Sequence, residues 1–387
     1  MSSPTAGIPV VRPDNIPALT GMRAYAAVWV MLLHLQHGVG IDGQVGFGAL
    51  VDRGGWAVDI FFVLSGFILS LIYAPRFELQ VRRDEWLRYL SARFARIYPL
   101  HLFALGALAL YYFGVRLASG APLPGGFSLK NFALNLTLLH GWGLADRLSW
   151  NYPSWSIGTE WFAYLAMLPL LARGLRRLPA PAVLLLGLVA WTVLYLAIHS
   201  LDQTIGTQNV KWGIPRIVVE FTLGYGLYRG YRAWRPSGRV ADTLALGGLA
   251  AIVGLGFAPP AFEWALAPAV CALVFGLSGA GPLGAGLFGS RRAVFWGERS
   301  YSIYMLHAVV QIYSNLVLLH FGLARLSAPG AWLLVLTQAV LVLGVSHLAY
   351  GWVELPMRQR LRALLESSAA PAGGRGASRP VHGERAP

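Results

Sequence analysis

The sequence predicts an all-helical protein that crosses a membrane many times, and two observations carry this prediction. Hydrophobic residues make up 56% of the 387 residues and charged residues only 12%, about half the charged share of a soluble domain. The apolar residues also fall into runs of about 17–25 residues, the length that spans a bilayer. The composition therefore excludes a disordered chain and a water-soluble globular protein of this size.

Ten such runs follow one another along the chain. They lie at roughly 18–37, 56–74, 96–115, 155–172, 180–198, 214–230, 240–257, 264–280, 301–320 and 331–352, each of the length that a spanning helix needs. The apolar stretch 131–141 is shorter, and we interpret it as an interfacial or re-entrant piece. We expect a cytoplasmic N-terminal segment at 1–17, a transmembrane domain at 18–362 and a disordered cytoplasmic tail at 363–387.

The distribution of arginine predicts which loops face the cytoplasm. Lys and Arg number 31 against 17 Asp and Glu, which gives a formal charge of +14. If the ten runs cross in alternate directions, the arginine-rich segments all lie on one face: 75–96, 173–177, 229–239, 291–299 and 355–387. By the positive-inside rule this face is cytoplasmic, and both termini lie there. The positive charge thus indicates topology and contact with an anionic lipid bilayer, and no nucleic-acid partner is expected.

An arginine and a histidine lie inside the first apolar run. Arg23 and His34 are eleven residues apart, which places them about 16 Å apart on one face of a helix. Because ionisable side chains are costly in hydrocarbon, those found there are candidates for function. The alternative is an arginine that extends to the interface and a histidine that is hydrogen-bonded within the bundle.

Two carboxylates are expected at the depth of His34. Asp59 opens the second run and Glu160 lies near the start of the fourth. A carboxylate beside an imidazole orients the ring and favours its charged form, so the three residues have the composition of a general-base site. The alternative for Asp59 is a helix cap facing water. Glu220, four residues after Arg216, is either a further member of this site or half of a structural ion pair.

Two arginines precede the third run at the expected cytoplasmic boundary. Arg93 and Arg96 are three residues apart and therefore share a helix face. Paired guanidinium groups suit phosphate, because they form bidentate, charge-assisted bonds to its oxygens. The alternative is that these arginines only mark the inner boundary.

Several uncharged or weakly basic residues are candidates to support the site. Ser156 lies four residues before Glu160 and shares its helix face. Tyr301, Tyr304 and His307 have helical spacing in the ninth run, for which the alternative is an interfacial aromatic belt with a bundle histidine. We expect no metal site, because no set of His, Cys and carboxylate residues has ligand spacing on one element.

The ordered sequence blocks resemble the membrane-bound acyltransferase type 3 family. In chain order they are IPALTGMRAYAAVWVMLLH, VDIFFVLSGFILS, RFARIYPL, WSIGTEWFAYL, SYSIYMLH and VELPMRQRL, and they cover residues 16 to about 362. The resemblance implies an enzyme that transfers an acyl group, commonly acetyl, from acyl-CoA to a hydroxyl of a glycan or small molecule. It implies acyl-CoA as substrate with no bound cofactor, and a place in the cytoplasmic (inner) membrane of a bacterium.

The resemblance also implies roles for individual residues. The R-x10-H element falls on Arg23 and His34, with the histidine as the catalytic group. The RxxR element falls on Arg93 and Arg96, which are expected to hold the phosphates of acyl-CoA. From its place on the first helix, we expect Arg23 to join them in this role. The block that contains WS and a glutamate falls on positions of the fourth run: Trp155, Ser156 and Glu160.

The expected mechanism is a reaction that takes place within the membrane. Acyl-CoA docks from the cytoplasm, and its pantetheine arm reaches about 15–20 Å toward His34. His34, oriented by Asp59 or Glu160, acts as general base, or alternatively forms an acyl-histidine. Trp155, Ser156, Tyr301 and His307 are expected to support the site or the acceptor.

Other acceptors and other function classes stay open at this stage. A polysaccharide or lipid-linked sugar is the first acceptor class, and a small secreted metabolite such as a macrolide is the alternative. A secondary transporter or flippase would also account for many spans with buried charges, although such proteins tend to show two related halves. A membrane protein that only binds a lipid or a partner would not depend on His34.

Overall fold

The computed structural model describes residues 16–40, 47–205, 211–279, 281–320 and 327–368. Within these residues the regular structure is helical and contains no β-strand, as the sequence predicts. The expectations for the first fifteen residues and for the tail from residue 369 lie outside the described residues.

Sixteen α-helices form the described part of the chain. The first eight are α1 (Pro17–Gly38), α2 (Phe47–Asp52), α3 (Ala57–Leu79), α4 (Arg83–Ser119), α5 (Leu129–Leu136), α6 (Trp155–Phe162), α7 (Leu168–Gly174) and α8 (Ala180–His199). The others are α9 (Gly213–Ala233), α10 (Gly238–Gly256), α11 (Leu266–Gly279), α12 (Pro282–Phe288), α13 (Arg291–Glu298), α14 (Ser300–His320), α15 (Ala328–Ala349) and α16 (Leu355–Ser368). A π-helical turn at Ala163–Met167 joins α6 to α7, and another at Tyr350–Glu354 joins α15 to α16.

Helices coincide with all ten of the predicted apolar runs. The protein is therefore a multi-pass membrane protein. In the described part of the chain, seven helical stretches are long and apolar enough to cross a membrane. The other three runs depart from a simple span. The fourth is interrupted by the π-helical turn between α6 and α7, α9 carries Arg216 and Glu220, and α14 carries His307 and Gln311. The number of ten crossings and the cytoplasmic placement of the termini stay predictions.

Two elements differ in length from the apolar runs that predict them. Helix α4 has 37 residues, about 55 Å at the helical rise, which exceeds the hydrocarbon thickness of about 30 Å. The helix begins at Arg83, before the third apolar run, so its first turns are polar. Arg93 and Arg96 therefore lie within the same continuous helix as the apolar run. Helix α5 has eight residues and is too short to cross, in agreement with the interfacial interpretation of 131–141.

Helices α1 and α3 lie at the centre of the bundle. Helix α1 packs against α3, α13, α14 and α15, and α3 packs against α7, α9 and α11. Glycines let α3 and α9 approach each other closely: a Cβ atom placed on Gly66 of α3 would lie 2.5 Å from the backbone oxygen of Phe221 in α9. Gly224 of α9 likewise faces the backbone of α3. Small residues let the two backbones meet, as in other membrane helix pairs.

We expect the α3–α9 contact to tolerate no added side chain. Gly66→Ala should lower the free energy of unfolding by about 1–3 kcal/mol, because the new methyl group forces the backbones apart. Gly247→Ala is the matched control, since a Cβ at this position of α10 would meet no atom within 4 Å. Thermal unfolding in detergent, followed by tryptophan fluorescence, measures both variants. An equal midpoint for the two variants would contradict this account of the contact.

Candidate active site

A cavity of about 160 Å³ lies between α1, α3, α4, α6 and α14. Helix α3 lines one long side from Val58 to Leu69, a distance of about 16 Å at the helical rise. The basic lining residues are Arg23 from α1 and Arg93 and Arg96 from α4. The structure thus brings together the three arginines that are predicted to bind phosphate.

Aromatic rings and a carboxylate hold the two arginines of α4. Arg93 lies over the ring of Tyr73 at 5.7 Å, and Arg96 lies over the ring of Tyr301 at 5.3 Å. Arg96 also forms an ion pair with Glu354, whose other oxygen accepts a hydrogen bond from Ser302 at 2.6 Å. In contrast, Nε of Arg93 is buried with no hydrogen-bond partner among the described residues.

Glu160 lies in this cavity with the arginines. Its Oε1 accepts a hydrogen bond of 2.5 Å from Ser65, and no hydrogen bond joins it to His34 in the described residues. The sequence places Glu160 near His34 only through an assumed depth, which does not decide which helices meet, and in the structure its neighbours are Ser65 and the arginines of the cavity. The chain before α6 is packed inside the protein, where Trp150, Asn151 and Ser154 are buried.

Asp59 forms a buried charge cluster with α9. Its Oδ1 accepts a hydrogen bond of 2.9 Å from Nη2 of Arg216, and Nε of Arg216 lies 3.9 Å from Oε1 of Glu220. The guanidinium group also covers the ring of Trp155 at 5.3 Å. Asp59 therefore neither orients His34 nor caps α3, which has no side-chain cap. A buried arginine attracts the carboxylate more strongly than a neutral imidazole does.

A second histidine takes the place expected for the carboxylate. Nδ1 of His34 lies 2.9 Å from Nε2 of His307, and Nδ1 of His307 lies 3.3 Å from the backbone oxygen of Ile303. Because a carbonyl oxygen only accepts, His307 carries its proton on Nδ1 and accepts at Nε2. His34 then donates from Nδ1, and its Nε2 keeps a lone pair. The pair thus selects the tautomer of His34 that serves as a general base.

Further residues of α14 and of the chain before α6 also lie against His34. Nε2 of Gln311 donates to the backbone oxygen of His34 at 2.5 Å, and the hydroxyl of Tyr152 donates to Oε1 of Gln311 at 2.8 Å. The rings of Tyr152 and His34 lie 5.0 Å apart. Sequence reasoning missed both residues, although Gln311 follows His307 by one helical turn and Tyr152 directly precedes the fourth run.

The end of the cavity lies one helical turn from the histidine pair. There Ser156 and Tyr304 share a hydrogen bond of 2.7 Å, and the Tyr304 hydroxyl also contacts the backbone oxygen of Pro153 at 2.8 Å. The rings of Tyr304 and His307 lie 5.8 Å apart. A ligand that enters by the arginines would therefore extend toward His34 and His307.

Comparisons with known proteins identify the family of this chain. A family model described as "Acyltransferase domain" matches residues 16–350. Acyltransferase MdmB of Streptomyces mycarofaciens is 29% identical over 361 residues, which cover 86% of this chain and 90% of that protein. Protein 2 in picA locus of Rhizobium radiobacter is 33% identical over 100 residues, or 26% of this chain and 47% of that protein.

A shorter match is to a relative whose name refers to a carbohydrate polymer. YrhL of Bacillus subtilis (strain 168), proposed by its name as a peptidoglycan O-acetyltransferase, is 34% identical over 87 residues, or 22% of this chain and 11% of that protein. No solved structure matches the chain. Because the family model covers almost all of the described helices, the chain belongs to the membrane-bound acyltransferase type 3 family and is an acyltransferase.

Proposed function

We propose that this protein transfers an acetyl or other short acyl group from acyl-CoA to a hydroxyl of a carbohydrate or glycan. The observation that carries the proposal is the cavity with Arg23, Arg93 and Arg96 on its wall and a histidine pair one helical turn beyond its end. The bacterial source of the relatives supports a place in the cytoplasmic membrane. The name of the relative YrhL supports polysaccharide modification as the biological reaction.

The arginines of the cavity suit the phosphates of coenzyme A. Guanidinium groups form charge-assisted bonds to phosphate oxygens, and the unpartnered Nε of Arg93 offers a donor for one of them. The cavity side along α3, about 16 Å long, agrees with the reach of an extended pantetheine arm. Ser65 on this side and its partner Glu160 on α6 both line the cavity and offer hydrogen-bonding groups to the amides of that arm.

His34 would act as the general base in this reaction. Its Nε2 takes the proton from the acceptor hydroxyl as the oxygen attacks the thioester carbonyl, so a C–O bond forms and the C–S bond breaks. The proton then passes to the sulfur of coenzyme A. Throughout, Nδ1 of His34 donates to His307, which keeps the ring in place without a carboxylate.

Removal of the proposed base should abolish transfer. We expect His34→Ala to reduce the rate by at least about 100-fold, the usual contribution of a general base. His37→Ala is the control, because His37 lies on the same helix but is exposed and pairs with Asp52. The assay follows label from radioactive acetyl-CoA into de-O-acetylated cell-envelope glycans. Near-normal transfer by the His34 variant would refute the assignment.

Loss of an arginine should weaken donor binding with little effect on the chemical step. Arg93→Met should raise the KM for acetyl-CoA about tenfold, which corresponds to about 1.4 kcal/mol. Acetyl-pantetheine lacks the phosphates of the nucleotide end, so its kcat/KM should be the same in the variant and in the unmodified protein. Arg88→Ala, which removes an exposed arginine of α4 bound to Asp84, is the control. An equal loss with both donors would argue against phosphate binding.

The partner of His34 should affect catalysis rather than donor binding. His307→Leu removes the hydrogen-bond acceptor for Nδ1 of His34 and should lower kcat about 10- to 100-fold while the KM for acetyl-CoA stays unchanged. His307→Gln supplies an amide oxygen as a new acceptor and should restore part of this loss. Steady-state kinetics of the two variants test the role. If both variants lose the same activity, His307 does not act by selecting the tautomer.

A further inference from the structure

Two aromatic rings close the cavity on the side of the histidine pair. Phe61 and Tyr304 both line the cavity, and their ring centroids lie 6.1 Å apart at an angle of 76°. His34 and His307 are absent from the lining, although the ring of Tyr304 lies 5.8 Å from that of His307. A chain that extends from the arginines therefore meets these two rings before it meets the histidines.

The two rings are held in different ways. The hydroxyl of Tyr304 is anchored by Pro153 and Ser156, and this side chain is 4% exposed. The ring of Phe61 has no polar atom, is only partly buried, and packs between two separate hydrophobic clusters of the bundle. Since no hydrogen bond fixes it, Phe61 is the member of the pair whose size alone determines how much room is left.

The cavity has no room for a long acyl chain beside part of the donor arm. A cavity of about 150 Å³ holds one benzene molecule, and the whole cavity here is about 160 Å³. The acyl carbons form the tip of acyl-CoA, so they come to lie against Phe61 when the phosphates bind the arginines. Each added methylene group then holds the thioester carbonyl farther from the histidine pair.

We propose that Phe61 sets the length of the acyl group that this enzyme accepts. This inference rests on the proposed function, because it assumes that the thioester of acyl-CoA enters the cavity. With the phenyl ring in place, an acyl group of two or three carbons fits against it and a longer chain does not. Replacement by alanine removes the six ring carbons and opens room for a chain of similar size.

Binding of unreactive donor analogues tests the proposal without knowledge of the acceptor. The probes are S-ethyl-, S-butyl- and S-octyl-CoA thioethers, titrated against the protein in nanodiscs by calorimetry with protein-free nanodiscs as the blank. The unmodified protein should bind S-octyl-CoA at least about tenfold more weakly than S-ethyl-CoA, a difference of about 1.4 kcal/mol that lies within the usual cost of overpacking a filled site. Phe61→Ala should lower the ratio of the two Kd values at least tenfold.

A matched variant separates chain length from a general change in cavity size. Ile68 lines the same cavity on the same helix, seven residues nearer the end of α3, and Ile68→Ala should leave the ratio of Kd values within about twofold. Phe61→Leu, a smaller change of volume, should give an intermediate ratio and covers the case in which Phe61→Ala fails to fold.

The outcomes distinguish this inference from the proposed function. If the unmodified protein binds the analogues but Phe61→Ala and Phe61→Leu leave the ratio unchanged, Phe61 does not set the chain length, and acyl-CoA remains the donor. If Ile68→Ala shifts the ratio as much as Phe61→Ala, the position of Phe61 at the cavity end has no special role. If the unmodified protein binds none of the three thioethers, the donor itself is wrong.

Discussion

The high cost of a charge outside water organises the interior of this protein. An ion in a low-dielectric interior loses several kcal/mol of hydration unless another charge or a set of hydrogen bonds replaces it. Arg96 pairs with Glu354 and Arg216 pairs with Asp59. Around the cavity, Arg23, Arg93, Arg96 and the nearby Arg358 face Glu160 and Glu354, so positive charges outnumber negative ones. This excess of positive charge prepares the region for an anion.

Close helix packing and charge pairing depend on each other at the α3–α9 contact. The glycines that let the two backbones touch are Gly66 and Gly224, and the ion pair between Asp59 and Arg216 joins the same two helices. The geometry that excludes larger side chains therefore also brings the guanidinium group within hydrogen-bond distance of the carboxylate. Through Arg216, this contact extends to the ring of Trp155 at the start of α6.

The sequence predicts the helical architecture and which residues share a face of one helix. It predicts poorly which residues of different helices contact each other. Arg23 and His34 share a stripe because the helical period is fixed, and the three arginines meet as expected. The partner of His34 is 273 residues away in the chain and the partner of Asp59 is 157 residues away. Periodicity contains no information on such contacts. Glu160 shows the same limit, since its hydrogen-bond partner Ser65 lies 95 residues away in the chain.

The neighbours of His34 come from different kinds of structure. His307 and most of the cavity lining belong to the long helices α1, α3, α4 and α14, whereas Tyr152, which does not line the cavity, belongs to a short stretch between α5 and α6. Connecting segments accept substitutions and insertions that packed helices do not. Under the proposed function, a change in this stretch would alter the surroundings of the imidazole while the residues proposed to hold the donor keep their form. Acceptor preference would then diverge without rebuilding the part of the site proposed for the donor.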